Sequence, residues 1–217
     1  MSQALIFANG DIIDGEMVRR AIAQANQPLV IAADGGARLA QFYNLPIHLV
    51  IGDMDSLSST EQANLEVQHI PLKRFPTEKD QTDLELALHY AIEQRIHWIR
   101  IIGGIGDRFD QTLANVYLMS LPDLQDVDIR MVAGKQEIRL VYPGKYQIDG
   151  APGDTLSLIP ISGDVQGIYT ENLKYPLKHE TLKFGPARGI SNVMLTAQAS
   201  IIFTTGMLLL VHTIGRA

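Results

Sequence analysis

The sequence predicts an N-terminal open parallel α/β sheet followed by a C-terminal all-β domain. Up to Ala133, short β-branched runs alternate with helical patterns, which is typical of parallel βαβ units. After Ala133, short strands are separated by turn signals, and no helical pattern stands out. The 46% hydrophobic content is enough for ordinary cores, and 217 residues fit one large domain or two small ones.

The N-terminal elements follow one another in strand–helix order. Strands are predicted at residues 5–8, 29–33, 48–51 and 98–102, and helices at residues 17–25 and 37–43. Thr82 and Glu85 have the spacing of a capping box, which predicts a helix beginning near Asp83. Asp110 is placed to cap a further helix. The first strand is predicted in place of a signal peptide, because the N-terminus lacks a basic segment and a long apolar segment.

The C-terminal part is predicted to be sandwich-like or barrel-like. Its turn signals lie at residues 143–144, 152–154, 162–164 and 205–206. The apolar stretch 201–211 is far shorter than the roughly 20 residues of a membrane helix. Because residues 204–206 interrupt it, this stretch is predicted to be a buried hairpin.

Several aspartates lie just past the predicted hydrophobic strands, and two more lie between these aspartates in the sequence. They are Asp34, Asp53, Asp55, Asp107 and Asp110, with Asp80 and Asp83 between them. The carboxyl ends of parallel strands share one edge of a sheet, where ligands bind. Two carboxylates 4 Å apart repel by roughly 4 kcal/mol at a dielectric near 20, so a cluster needs a counter-charge. Oxygen ligands suit Mg²⁺, which predicts metal-assisted chemistry on a phosphorylated substrate.

Each of these features also has a structural interpretation. A single aspartate favours turns and helix caps, and Asp83 in a first helical turn is stabilised by the macrodipole. The Asp34-Gly35-Gly36 segment is either a strand-to-helix turn or a bare backbone surface for a nucleotide. The loop 103–110 offers glycines and Arg108 to phosphate oxygens, but it lacks the spacing of dinucleotide folds and of P-loops.

Composition disfavours several classes of function. A formal charge of −6 without a basic run argues against nucleic acid or an anionic membrane as the main partner. The absence of cysteine excludes disulfides, thiolate nucleophiles and Cys-type zinc sites. The six histidines show no metal-ligand spacing, and surface or satisfied core positions are expected for them. No serine lies in a G-x-S-x-G elbow.

Taken together, the motifs resemble those of the thiamine pyrophosphokinase family. The matching stretches are ADGGA at 33–37, IGDMDS at 51–56, EKDQTD at 78–83, GGIGDRFDQTLAN at 103–115 and LKYPLKHETLKFGPARGISN at 173–192. This resemblance implies transfer of a diphosphoryl group from ATP to the hydroxyl of thiamine, giving thiamine diphosphate and AMP. It further implies a catalytic ATP- and Mg²⁺-binding domain at 1–133 and a thiamine-binding β-sandwich at 134–217. A cytoplasmic homodimer with active sites at the subunit interface is expected.

The resemblance also implies residue roles. Asp53, Asp55, Asp80 and Asp110 would hold Mg²⁺ and the phosphates with Arg108, and Asp83 is a further expected metal ligand. The expected ATP-binding residues are Asp34, Gly35, Gly36, Gly104, Gln111 and Thr112. Ser191 and Asn192 would hydrogen-bond the pyrimidine of thiamine. Tyr175 and Phe184 fit either a ring face for the thiazolium or the sandwich core.

Two alternatives remain at this point. A pterin-alcohol diphosphokinase would keep the acidic ATP site and change the acceptor pocket, although the GISN stretch at 189–192 disfavours it. A non-catalytic nucleotide- or thiamine-binding sensor is disfavoured by the intact set of aspartates, because binding alone does not require so many carboxylates near an anion.

Overall fold

A computed structural model describes residues 2–215. They form two compact units, one ending at Gly134 and the other beginning at Lys135. The predicted fold class is confirmed, because the first unit contains helices and a parallel sheet, and the second contains antiparallel sheets.

The described part of the N-terminal unit contains six strands and five α-helices. The strands are β1 Gln3–Phe7, β2 Leu29–Ala33, β3 Leu49–Gly52, β4 Leu72–Arg74, β5 Trp98–Ile102 and β6 Asp128–Ala133. The helices are α1 Glu16–Gln24, α2 Gly36–Phe42, α3 Ser59–Val67, α4 Asp83–Glu93 and α5 Phe109–Leu118, with a 3-10 turn at Pro122–Leu124. The strands pair in parallel in the order β6-β5-β1-β2-β3-β4.

The strand order brings distant loops to one sheet edge. Strand β1 is central, with β2 on one side and β5 on the other. After β4 the chain therefore crosses to the opposite side of β1, which is the arrangement that creates a ligand-binding crevice. The central strands are buried along almost their whole length, which explains their continuous apolar sequences.

Of the two helix caps predicted in this unit, one is present and one is not. Thr82 accepts a hydrogen bond from N of Glu85, as the predicted cap of α4 requires. The prediction that Asp110 caps α5 is wrong, since α5 begins at Phe109 and Arg108 occupies the cap position. Asp110 lies in the first turn instead, where the macrodipole still favours its charge.

The C-terminal unit is a β-sandwich. Its strands are β7 Gln136–Val141, β8 Gly144–Asp149, β9 Thr155–Pro160, β10 Val165–Glu171, β11 Lys178–Leu182, β12 Asn192–Val193, β13 Gln198–Phe203 and β14 Leu208–Thr213. Strands β12, β9, β14 and β7 pair antiparallel in that order, and β11-β10-β13-β8 form a separate four-stranded antiparallel sheet. Buried residues of both sheets, such as Leu210 and Ile201, belong to one apolar cluster.

The predicted hairpin at 201–211 is wrong. Strand β13 pairs with β8 and β10, whereas β14 pairs with β7 and β9. The connection around Gly206 is therefore a crossover between sheets, and both apolar strands reach the same core from opposite sides. Among residues 2–215, no helix is long and apolar enough to cross a membrane.

Candidate active site

Three aspartates from separate segments converge at the carboxyl edge of the parallel sheet. Asp34 directly follows β2, Asp53 directly follows β3, and Asp83 is the first residue of α4. One carboxylate oxygen from each lies within 4.8 Å of the others. We call these residues the acidic triad.

Gly52 allows the triad to assemble. Its φ of +147° is unfavourable for other residues, and an added Cβ would lie 2.8 Å from Cγ of Asp83. The same Cβ would lie 3.1 Å from Cβ of Asp34. A side chain at this position would therefore push two triad members apart.

The triad oxygens are incompletely satisfied. Asp34 is 2% exposed, and its Oδ2 accepts a hydrogen bond from N of Ser56 at 3.1 Å. Within residues 2–215, buried Oδ1 of Asp34 accepts no hydrogen bond, and buried Oδ1 of Asp83 has only an ion-pair contact with Lys79. Incompletely satisfied buried carboxylate oxygens are costly, and these two belong to the cluster in which a cation would satisfy them.

Lys79 supplies the positive charge next to the triad. Its Nζ lies 3.0 Å from Oδ2 of Asp53 and 3.1 Å from Oδ1 of Asp83. The second contact is an ion pair at the start of α4. Burial acts to lower the pKa of Lys79, but Asp53 and Asp83 outweigh burial and raise it above 10.5, so the amine is protonated at neutral pH.

The pKa values of Asp53 and Asp83, which both contact Lys79, are shifted in opposite directions. Burial raises the pKa of Asp83 above 3.8, and Lys79 only partly compensates. Burial also acts to raise the pKa of Asp53, but the N–H of Asp55 and the ammonium of Lys79 bring it below 3.8. The site therefore holds closely spaced carboxylates in different environments.

The three carboxylates of the triad repel one another. We therefore predict that Asp34→Asn stabilises the cation-free protein by about 1 kcal/mol. The substitution removes a buried charge beside two carboxylates, and asparagine tolerates the φ of +47° found at this position. Urea unfolding in the presence of a chelator measures the effect, with the exposed Asp126→Asn as control. A loss of stability would contradict repulsion within the triad.

The triad adjoins a cavity of about 450 Å³. Its walls come from the loops after β1, β2, β3, β4 and β5 and from the N-terminal parts of α4 and α5. Residues that line it include Asn9, Gly10, Asp34, Asp55, Ser56, Lys79, Thr82, Asp83, Gly104, Arg108, Gln111, Thr112 and Asn115. Helix N-termini favour anions, so the cavity combines an acidic end with groups suited to phosphate.

Helix α5 fixes the glycine loop against the cavity. The side chain of Thr112 accepts a hydrogen bond from N of Gly106, and Nδ2 of Asn115 donates to O of Gly104 at 2.8 Å. Arg108 lines the cavity and forms an exposed ion pair with Asp110. Because this pair is exposed, the guanidinium can exchange a carboxylate for a phosphate at little cost.

The structure brings only some of the predicted metal-binding aspartates to the site. Asp53 and Asp83 are in the triad, and Asp55 lines the cavity. Within the described residues, Asp80 is exposed and belongs neither to the triad nor to the cavity wall.

The structure assigns Gly35 and Gly36 to chain packing. An added Cβ on Gly36 would lie 2.0 Å from O of Phe7, and one on Gly35 would lie 2.3 Å from Oδ1 of Asn9. These glycines therefore allow close packing against the loop after β1. This agrees with the interpretation of the segment as a strand-to-helix turn.

Sequence reasoning missed Lys79, Asn9 and Asn115. It placed Asp34 in the acidic patch but expected it to bind ATP and not the metal ion. One signal was present, because Lys79 and Asp83 are four residues apart at a helix start, where side chains can meet. For Asn9 and Asn115 no comparable spacing exists, since their positions depend on the packing of α5 and of the loop after β1.

In the C-terminal unit, Asn192 holds a loop. Its Oδ1 accepts hydrogen bonds from N of Tyr175 and N of Val193, and its Nδ2 donates to O of Tyr175. Ser191 is exposed, with a φ of +56°. Tyr175 and Phe184 are also exposed, which removes the core interpretation of these rings.

Comparison with known proteins decides the family. Residues 22–132, just over half of the chain, match the model of the thiamin pyrophosphokinase catalytic domain. The chain belongs to the thiamine pyrophosphokinase family. Residues 145–208 match the vitamin B1 binding domain of thiamin pyrophosphokinase. As a member of this family, the chain is an ATP-dependent diphosphotransferase.

Individual relatives agree with this assignment. The chain is 31% identical to thiamine pyrophosphokinase of Bacillus subtilis over 163 residues, covering 75% of this chain and 76% of the relative. It is 26% identical to thiamin pyrophosphokinase 1 of Caenorhabditis elegans over 195 residues, with coverages of 80% and 77%. The crystal structure of the Bacillus subtilis thiamine pyrophosphokinase superposes with a TM-score of 0.87 at 26% identity, covering 98% of this chain and 99% of that one.

Proposed function

We propose that the acidic triad and the adjoining cavity bind Mg²⁺ and ATP for synthesis of thiamine diphosphate. In this reaction the hydroxyl of thiamine attacks the β-phosphorus of ATP, a diphosphoryl group moves to thiamine, and AMP leaves. The observation that carries the proposal is the convergence of Asp34, Asp53 and Asp83 at the edge of a cavity with two helix N-termini.

The donor chemistry of the triad fits Mg²⁺. The ligands are carboxylate oxygens; among the described residues, buried Oδ1 of Asp34 has no hydrogen-bond donor, and buried Oδ1 of Asp83 has only its ion-pair contact with Lys79. Asp34, Asp53 and Asp83 would hold the ion, which when bound neutralises phosphate charge. The proposal keeps Asp55 at the cavity wall beside the ion and leaves out Asp80, whose exposed side chain is not in the cluster.

Catalysis by the protein itself would consist of positioning and charge stabilisation. The proposal assigns the phosphates to Arg108 and to the first turn of α5, where Gln111 and Thr112 line the cavity. The glycine loop at Gly104 brings backbone to the same wall. The acidic end of the site also suits the cationic thiazolium ring.

Asn192 is proposed to act on thiamine by holding the loop at Tyr175 in place. We expect Asn192→Ala to raise the thiamine KM about tenfold and to change the ATP KM less than about twofold, because the lost hydrogen bonds organise only the acceptor side. Steady-state kinetics with each substrate varied separately measure this difference, and the exposed Asn26→Ala is the matched control. An unchanged thiamine KM would remove Asn192 from the site.

A homodimer is proposed on the basis of exposed apolar surface. Phe109, Leu113 and Tyr117 recur every four residues along α5 and are all exposed. Such a stripe on a helix is typical of an interaction surface, and a second copy of the chain is the proposed occupant.

The cytoplasm is the proposed compartment, because the co-substrate ATP is abundant there.

The reaction is tested with purified protein, ATP, Mg²⁺ and thiamine. Formation of AMP and thiamine diphosphate is expected. Formation of ADP would indicate monophosphoryl transfer, and turnover only with a pterin alcohol would indicate a different acceptor. Binding without turnover would indicate a sensor. The match to a vitamin B1 binding domain disfavours the pterin acceptor.

A further inference from the structure

Lys79 is a partly buried cation at a position where a divalent ion is proposed to bind. Its side chain is 14% exposed, and its ammonium bridges Asp53 and Asp83 at 3.0 and 3.1 Å. Lysine side chains are seldom buried to this extent without a specific partner. Lys79 therefore forms part of the site, although the expected family roles did not include it.

The ammonium of Lys79 neutralises only part of the negative charge of the triad. Three carboxylates and one ammonium sum to a formal charge of −2 when all are ionised. Within the described residues, Oδ1 of the buried Asp34 has no hydrogen-bond donor, and Oδ1 of Asp83 has only the ion-pair contact with Lys79. Lys79 thus holds the triad together but does not satisfy it.

An ammonium and a divalent cation compete for the same oxygens. Asp53 and Asp83 are two of the three residues that offer ligand atoms, and both are already engaged by Lys79. Two positive groups in direct contact with the same pair of carboxylates would repel one another strongly. A cation can therefore enter the triad only if the ammonium of Lys79 leaves.

The position of Lys79 allows it to leave. It lies in the loop between β4 and α4, four residues before Asp83, and it lines the cavity. Four flexible methylene groups let its ammonium swing while the backbone stays in place. In the same cavity, Arg108 and the first turn of α5 form the proposed phosphate-binding surface.

We propose that Lys79 is a positioning residue that occupies the acidic triad until a divalent cation displaces it, and that the released ammonium then binds a phosphate of ATP. This proposal rests on the proposed function for the identity of the nucleotide. It couples the two ligands, because ATP gives the displaced ammonium a new partner. Cation binding is consequently weak without nucleotide and stronger with it.

The test measures Mn²⁺ binding to the purified protein by electron paramagnetic resonance, with and without α,β-methylene-ATP, which cannot release AMP. Lys79→Met is expected to bind Mn²⁺ at least about tenfold more tightly than the natural protein in the absence of nucleotide. It is also expected to bind the analogue about tenfold more weakly and to lose most of the coupling between the two ligands. Lys79→Arg keeps the charge and should retain the coupling.

The exposed Lys145→Met is the matched control and should leave both affinities unchanged. Lys79→Gln repeats the measurement if the methionine variant fails to fold. A folded neutral variant that binds Mn²⁺ with the affinity of the natural protein would overturn the proposal. Formation of AMP by the natural protein is measured separately, so its absence counts against the proposed function, whereas unchanged Mn²⁺ affinity in an active enzyme counts against the role of Lys79 alone.

Discussion

Replacement of Asp53 by asparagine is expected to lower kcat by about three orders of magnitude while the protein remains folded. Asp53 offers an oxygen to the acidic triad, and its Oδ2 contacts Lys79 at 3.0 Å. An amide is a much weaker ligand for a hard cation, and its NH₂ group would face an ammonium. The substitution therefore affects both charges on which the proposed chemistry depends.

The fold should survive because the local hydrogen bond can be kept. Oδ1 of Asp53 accepts from N of Asp55 at 3.1 Å, and the amide oxygen of asparagine can do the same. Removal of one of three neighbouring carboxylates also relieves repulsion, which offsets the lost ion pair. Turnover at saturating Mg²⁺ is the measurement, with thermal unfolding as the check on folding and Asp126→Asn as control. Near-normal kcat in the folded variant would reject Asp53 as a metal ligand.

The largest expected effect on stability is that of Asp154→Ala, at roughly 3–5 kcal/mol. Asp154 is 4% exposed and lies between strands β8 and β9. Its carboxylate accepts hydrogen bonds from N of Ala151 and N of Gly215 at 2.9 and 2.8 Å, and it contacts Nε2 of His212 at 2.8 Å. Alanine would leave all three groups without this acceptor. Urea unfolding near neutral pH measures the cost, and Asp126→Ala is the control.

The pH dependence of this effect has a definite sign. Burial acts to raise the pKa of Asp154, but the N–H of Gly215, His212 and the N–H of Ala151 outweigh it and lower the pKa below 3.8. A carboxyl with a lowered folded pKa contributes stability above 3.8 and loses that contribution as the pH falls through the folded value. The difference between the natural protein and Asp154→Ala should therefore shrink on acidification below 3.8. A difference that stays constant would show that Asp154 acts through packing alone.

For His212, the sequence predicted the type of role but not the partner. The sequence predicted surface or satisfied core positions for the histidines, because their spacing matched no metal site. His212 is buried on β14 and satisfied by Asp154, 58 residues earlier in the chain. The type of role was predictable from spacing, but the partner was not, since it depends on which strands become neighbours in the sandwich.

The apolar stretch at 201–211 shows the same limit for whole elements. Alternation and turn residues correctly predicted two buried strands separated near Gly206. They did not reveal that the strands belong to different sheets, because both a hairpin and a crossover bury the same side chains. Pairing is decided by non-local hydrogen bonds, which a local pattern does not encode.

By itself, the sequence determined the fold class and the positions of the aspartates at the carboxyl ends of the strands. These features follow from local hydrophobic periodicity and from the rule that parallel strands end at a common edge. Only the tertiary structure decided that Asp34 joins Asp53 and Asp83, that Asp80 stays outside, and that Lys79 occupies the group. The physical reason is that strand order and the bare backbone of Gly52 set the distances between carboxylates far apart in the chain.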